Sequence, residues 1–108
     1  MLDVVVSGTL SNVNVTILRS TMTTFMVSGG ILSDSVINIL QSNMITTSTY
    51  IDGVFQVTSR INAVDIVVAD TKITVTTTSW HARVLYFSDS QPMGGSFTLK
   101  RNIITITS

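Results

Sequence analysis

Apolar and polar residues alternate along much of this chain. Val13-Asn14-Val15-Thr16-Ile17 carries apolar side chains at every second position, and within Ile103–Thr107 Ile104 and Ile106 alternate with threonine, the period of a strand with one face buried and the other in water. The continuous apolar runs, residues 4–6, 36–40 (broken by Asn38) and 66–69, fall far short of the roughly 20 residues a membrane-spanning helix needs. The pattern predicts strands throughout and no transmembrane helix.

Turn signals divide these strands. Asp52-Gly53 is a pair that tolerates positive φ at both positions, so it suits a two-residue hairpin joining residues 46–51 to 54–59 and setting Tyr50 opposite Phe55. Asp70-Thr71 would join 61–69 to 72–78 in the same way, with Val68 opposite Ile73 and Ile66 opposite Val75. Ser28-Gly29 is a third candidate turn, and residues 88–95 form a longer loop between 83–87 and 96–100.

The first half also echoes itself. Gly8-Thr9-Leu10-Ser11-Asn12 matches Gly30-Ile31-Leu32-Ser33-Asp34, and Ile17-Leu18-Arg19-Ser20-Thr21-Met22 matches Ile39-Leu40-Gln41-Ser42-Asn43-Met44, at a period of roughly 22 residues that fits one coil of a parallel solenoid. The hairpin signals belong to antiparallel sheets. The expectation is therefore an all-β antiparallel sandwich or barrel built from hairpins, with a parallel β-solenoid of about 22-residue repeat as the alternative.

Composition supports strands over helices. The chain has 108 residues, no glutamate, three alanines, and much threonine, serine, valine and isoleucine; the β-branched residues lose rotamer freedom in helices and pack well on pleated sheets. The length suits a single domain spanning 1–108. Charged residues make up 11% of the chain and sum to a net charge of zero, against roughly 25% charged in an ordinary soluble domain. A nucleic-acid binder needs a basic face, so no nucleic-acid partner is expected. No secretory signal opens the sequence, and synthesis in the cytosol is expected.

Scarce charge also changes what the strand edges can do. Soluble monomers blunt open edges with lysine, proline or bulges, and here only Lys72, Lys100 and Pro92 are of those types. Long uncharged edges should be covered by identical neighbours or by a larger partner, which predicts a homo-oligomer.

Candidate chemistry is sparse. His81, the single histidine, could act as general base for a serine nucleophile, but no Gly-x-Ser-x-Gly elbow fixes such a serine, and a strand or loop histidine beside Trp80 is the simpler reading. An acid and base pair would have to be two aspartates such as Asp65 and Asp70, one of them held protonated by burial; Asp70 reads better as a turn residue. One histidine and no cysteine cannot build a transition-metal site, and Gly29-Gly30 and Gly94-Gly95 lack nucleotide-binding spacing. No enzyme activity, metal or cofactor is expected.

Partner contact is the remaining role. Gln91, Pro92 and Met93, with Gly94-Gly95 behind them, form the candidate contact loop: proline stiffens it and methionine adapts to an irregular surface. Trp80 and Tyr86 join this set as exposed-aromatic candidates, and together with His81 they would also serve the alternative function, a carbohydrate- or receptor-binding module of adhesin type. In size and composition along its whole length the chain resembles the small β-rich virion structural proteins of tailed bacteriophages. That resemblance implies a non-enzymatic head-decoration, head-completion, tail or baseplate component, made in the host cytoplasm and assembled into the virion through contacts with copies of itself and other virion proteins.

Overall fold

A computed structural model describes residues 2–48, 54–77, 85–87 and 94–107. They form eleven strands: β1 (Leu2–Ser11), β2 (Asn14–Leu18), β3 (Thr21–Met22), β4 (Phe25–Leu40), β5 (Asn43–Ser48), β6 (Phe55–Val57), β7 (Arg60–Ala69), β8 (Lys72–Thr77), β9 (Leu85–Phe87), β10 (Ser96–Lys100) and β11 (Ile103–Thr107). A seven-stranded sheet contains β1, β2, β4, β6, β7, β9 and β10, and a four-stranded sheet runs β11-β8-β5-β3. Every pairing is parallel.

The chain therefore lies in stacked layers: β1 to β3 form the first, β4 and β5 the second, β6 to β8 the third, and β9 to β11 the fourth. In-register parallel pairing makes aligned residues point the same way, so side chains form columns through the layers. Val15, Ile37, Ile66 and Phe97 make one column, and Ile17, Ile39, Val68 and Leu99 another. Met44, Ile73 and Ile104 are aligned in the smaller sheet. The core lies between the sheets, where Val27, Ile39, Met44, Val68 and Ile73 are fully buried.

This arrangement overturns the antiparallel sandwich or barrel. The residues flanking Asp70-Thr71 do not pair with each other: β7 pairs with β4 and β10, whereas β8 pairs with β5 and β11. Likewise β5 and β6, on either side of Asp52-Gly53, belong to different sheets; Asp52-Gly53 itself is outside the described residues. Ser28-Gly29 lies inside β4 and reverses nothing. β9 and β10 share a sheet but pair with β6 and β7, not with each other. The solenoid alternative with a 22-residue repeat is not shown either, since bonded positions are 22 residues apart between the first two layers, then 29, then 31.

What the turn residues do instead is carry the chain around a corner. Arg19, Gln41, Asp70 and Arg101 all adopt left-handed conformations, with φ from 48° to 53°, and each precedes a strand of the smaller sheet. Behind each stands a short polar side chain: Ser20, Ser42, Thr71 or Asn102. The Ser20 N–H donates to Ser42 Oγ (3.2 Å), the Ser42 N–H to Thr71 Oγ1 (3.4 Å) and the Thr71 N–H to Asn102 Oδ1 (2.9 Å). The hydroxyls of Ser20, Ser42 and Thr71 donate in turn to the carbonyls of Leu18, Leu40 and Ala69. A buried corner thus satisfies its backbone groups through side chains of the next layer, as the cost of an unpaired buried N–H requires.

A second set of left-handed residues comprises Asn12 between β1 and β2, Asp34 within β4, Ala63 within β7 and Gly94 just before β10. Here the Val13 N–H donates to Ser35 Oγ (3.1 Å). Close approach of layers makes glycine necessary nearby: a Cβ added at Gly30 would collide with the Gly8 carbonyl oxygen, and one at Gly95 with that of Val64.

Candidate functional site

The layered build leaves two open ends. Among the described pairings, β1 and β2 bond only to β4, and β3 only to β5; at the other end β9, β10 and β11 bond only to β6, β7 and β8. A parallel strand with one neighbour presents alternate N–H and C=O groups outward along its free edge.

The same ends expose core-type side chains. Ile73 and Val75 are 0% and 1% exposed, yet Ile104 and Ile106, which occupy the same columns one layer further out, are 42% and 52% exposed. Leu99 is 44% exposed above fully buried Val68. At the first layer Leu2 and Leu10 stand 37% and 40% exposed beside buried Phe25 and Leu32. These residues face the interior and are open where no described strand lies beyond them. Isolated exposed leucines are ordinary on protein surfaces; here inward-facing ones are gathered on each end, which makes these ends the candidate contact patches.

Charge does little to protect either end. The fourth layer carries Lys100 and Arg101, with Arg101 folded back on Asp70 of the third: Nε donates to Oδ1 at 2.8 Å and a terminal nitrogen to Oδ2 at 3.0 Å. This exposed bidentate pair holds the Asp70 carboxyl below its ordinary range, chiefly through the hydrogen bond from Arg101, and raises Arg101 for the same reason. Asp65 accepts from Ser96 Oγ (2.9 Å) and Asp3 from Ser28 Oγ (2.8 Å).

These partners bear on catalysis. A general acid at Asp70 would have to stay protonated near neutral pH, and Arg101 acts in the opposite direction. A pocket of about 210 Å³ lies between Ile61, Val64 and Ile66 of β7 and residues 94–97, without a titratable side chain in its lining. Among the described residues, no three His, Cys, Asp or Glu side chains gather where they could hold a metal ion, and no helix is long and apolar enough to cross a membrane.

Of the contact residues named from sequence, Tyr86 alone is described. It lies half-buried on β9, aligned with Gln56 of β6. Gln91, Pro92, Met93 and Trp80, like His81, fall outside the described residues. The end-layer residues Leu2, Leu10, Leu99, Ile104 and Ile106 were not singled out from sequence, because alternation marks them as inward-facing without revealing that a layer ends there. No protein-family model, curated protein or solved structure matches the chain.

Proposed function

We propose that this protein is a non-enzymatic structural and assembly component, of the kind that builds the head or tail of a tailed bacteriophage, and that it works by self-association and lattice contacts. The observation that carries the reading is the change along several core columns, from burial in the middle layers to 37–52% exposure at Leu2, Leu10, Leu99, Ile104 and Ile106. Burying such side chains against a neighbour contributes roughly 25 cal/mol per Å² of apolar surface, and pairing the free strand edges removes the hazard of unspecific β-addition. Scarcity of charge, at 11% of residues, acts in the same direction, since little opposes close approach of two copies. The virion setting rests on size, composition and this need for dense assembly.

Light scattering of the purified chain from micromolar to near-millimolar concentration tests the assembly reading. Discrete oligomers or filaments that grow with concentration are expected. A monomer of constant mass across the range would overturn it.

A further inference from the structure

We infer that the partner at the open ends is a second copy of this chain, stacked head to tail, with the fourth layer of one copy against the first layer of the next and in register with it. This rests on the assembly reading above and gives it a geometry.

The corner ladder runs in one direction, and that direction is what selects the partner. Each layer donates outward from its corner: the Arg19 N–H bonds to the Leu40 carbonyl, Gln41 to Ala69 and Asp70 to Lys100, while the Ser20, Ser42 and Thr71 N–H groups reach the polar side chains of the following layer. A return series runs the other way, from the Asn43 N–H to the Ser20 carbonyl, Lys72 to Ser42 and Ile103 to Thr71. Continuing both series past the fourth layer calls for an acceptor opposite the Arg101 N–H, a hydroxyl opposite the Asn102 N–H, and a donor opposite the Asn102 carbonyl. The first layer supplies these in order: the Leu18 carbonyl, Ser20 Oγ and the Thr21 N–H. Arg19 and Arg101 also share the left-handed corner conformation, at φ 48° and 53°, so the two backbones match where they would meet.

The apolar columns that reach the first layer continue as well; that of Ile106 does not, because β3 ends at Met22. Leu99 comes over Ile17 and Ile104 over Met22, as each does over its own inner neighbours. A two-fold pairing of identical ends would run the strands antiparallel and set donor against donor at the corner. Four layers spaced about 4.8 Å apart fit the shortest dimension of the molecule, 20 Å, so the other two, 38 and 27 Å, span the end face. Such a face offers about 800 Å² per partner, the size of a standard specific interface. Because the contact is heterologous, it propagates into open filaments unless its rotation closes a ring.

One contact opposes the stacking and gives it a signature. Arg101 would lie next to Arg19 of the following copy, two exposed like charges at neighbouring corner positions. Added salt screens them, so association should strengthen with ionic strength. Arg19→Asp replaces that repulsion with an Asp70–Arg101–Asp alternation at a position where aspartate accepts the left-handed conformation; it should tighten association about fivefold and reverse the salt dependence.

Disulfide trapping reads the geometry directly, because the chain contains no cysteine. Thr16 and Thr98 are exposed and share one column, through Asn38 and Val67. Within one copy they are three layers apart, about 14 Å, too far for a disulfide; across the inferred junction they are one layer apart, within its usual reach of about 4.4–6.8 Å. Mixing the Thr16→Cys and Thr98→Cys proteins under mild oxidation should yield the mixed dimer, with neither variant cross-linking well alone, and the double variant should give a ladder of covalent oligomers. Strong self-linking of Thr98→Cys, or no mixed dimer from protein that scattering shows to be assembled, would overturn the head-to-tail geometry and leave assembly standing. A monomer at every concentration would overturn both.

Discussion

Replacing Thr71 by valine removes one hydroxyl from the middle of the corner ladder and keeps the side-chain volume. Thr71 is 1% exposed; its Oγ1 accepts the Ser42 N–H at 3.4 Å and donates to the Ala69 carbonyl at 2.9 Å. Loss of the hydroxyl forfeits a net bond of about 0.5–1.5 kcal/mol, and the Ser42 N–H it leaves behind carries a desolvation cost of about 1–3 kcal/mol. The bond to Ser42 is long, so the lower part of these ranges applies, and a total near 2 kcal/mol is expected. For a domain of this length that lowers the melting temperature by about 8–16 °C. Ser20→Ala is the matched control, because Ser20 occupies the same corner position in the first layer, where no preceding layer of the same copy donates to its hydroxyl. At dilutions that keep the protein dissociated it should cost about 0.5 kcal/mol. Urea unfolding followed by circular dichroism measures both. Equal losses for the two variants, or a Thr71→Val protein within 0.5 kcal/mol of wild type, would refute the ladder as the element that holds the corner.

Three further substitutions probe separate features. Ala63 sits at φ 53°, a conformation costing about 1–2 kcal/mol for a residue with a Cβ, so Ala63→Gly should raise stability by about 0.5–1 kcal/mol after the entropic cost of glycine, and a loss in the same urea assay would count against that backbone. Ser59 Oγ is buried without a hydrogen-bond partner; Ser59→Ala should leave stability equal or slightly higher, and a drop beyond 1 kcal/mol would show the hydroxyl to be engaged. Asp70 has its folded pKa lowered by Arg101, so the pair stabilises the fold above the unfolded aspartate value near 3.9, and that contribution is lost as pH falls through the lower folded value. Wild type and Asp70→Asn should therefore differ at pH 6 and converge toward pH 2, and a gap that widens on acidification would contradict the assigned cause.

The strand content was legible in the sequence, and so was the register between the first two layers, three of the nine pairings. β-branched residues at alternate positions, without glutamate and with little alanine, leave few surfaces a helix could use. The echo between the first two layers is a register signal: Leu10 aligns with Leu32, Ile17 with Ile39 and Met22 with Met44. It fades at the third layer because the chain between β5 and β6 is longer than that between β3 and β4, which moves the offset from 22 to 29 residues. The turns misled for a physical reason. A hairpin reversal and a corner between two sheets both need a residue that accepts positive φ followed by a small polar one, so Asp70-Thr71 satisfies either, and only the identity of the strands it joins tells them apart. Inward-facing leucines and isoleucines at the ends look like any others in the sequence, since their exposure depends on where the stack terminates.

Hydrogen exchange resolved by residue, compared between dilute and concentrated protein, tests most directly whether the ends of the parallel stack are where copies meet. Amides of β4, β5, β7 and β8 should be protected at both concentrations, whereas alternate amides of β1, β2, β10 and β11, those facing outward, should gain protection only as the protein associates. Exchange along those four strands that stays the same while scattering reports association would show that copies meet elsewhere.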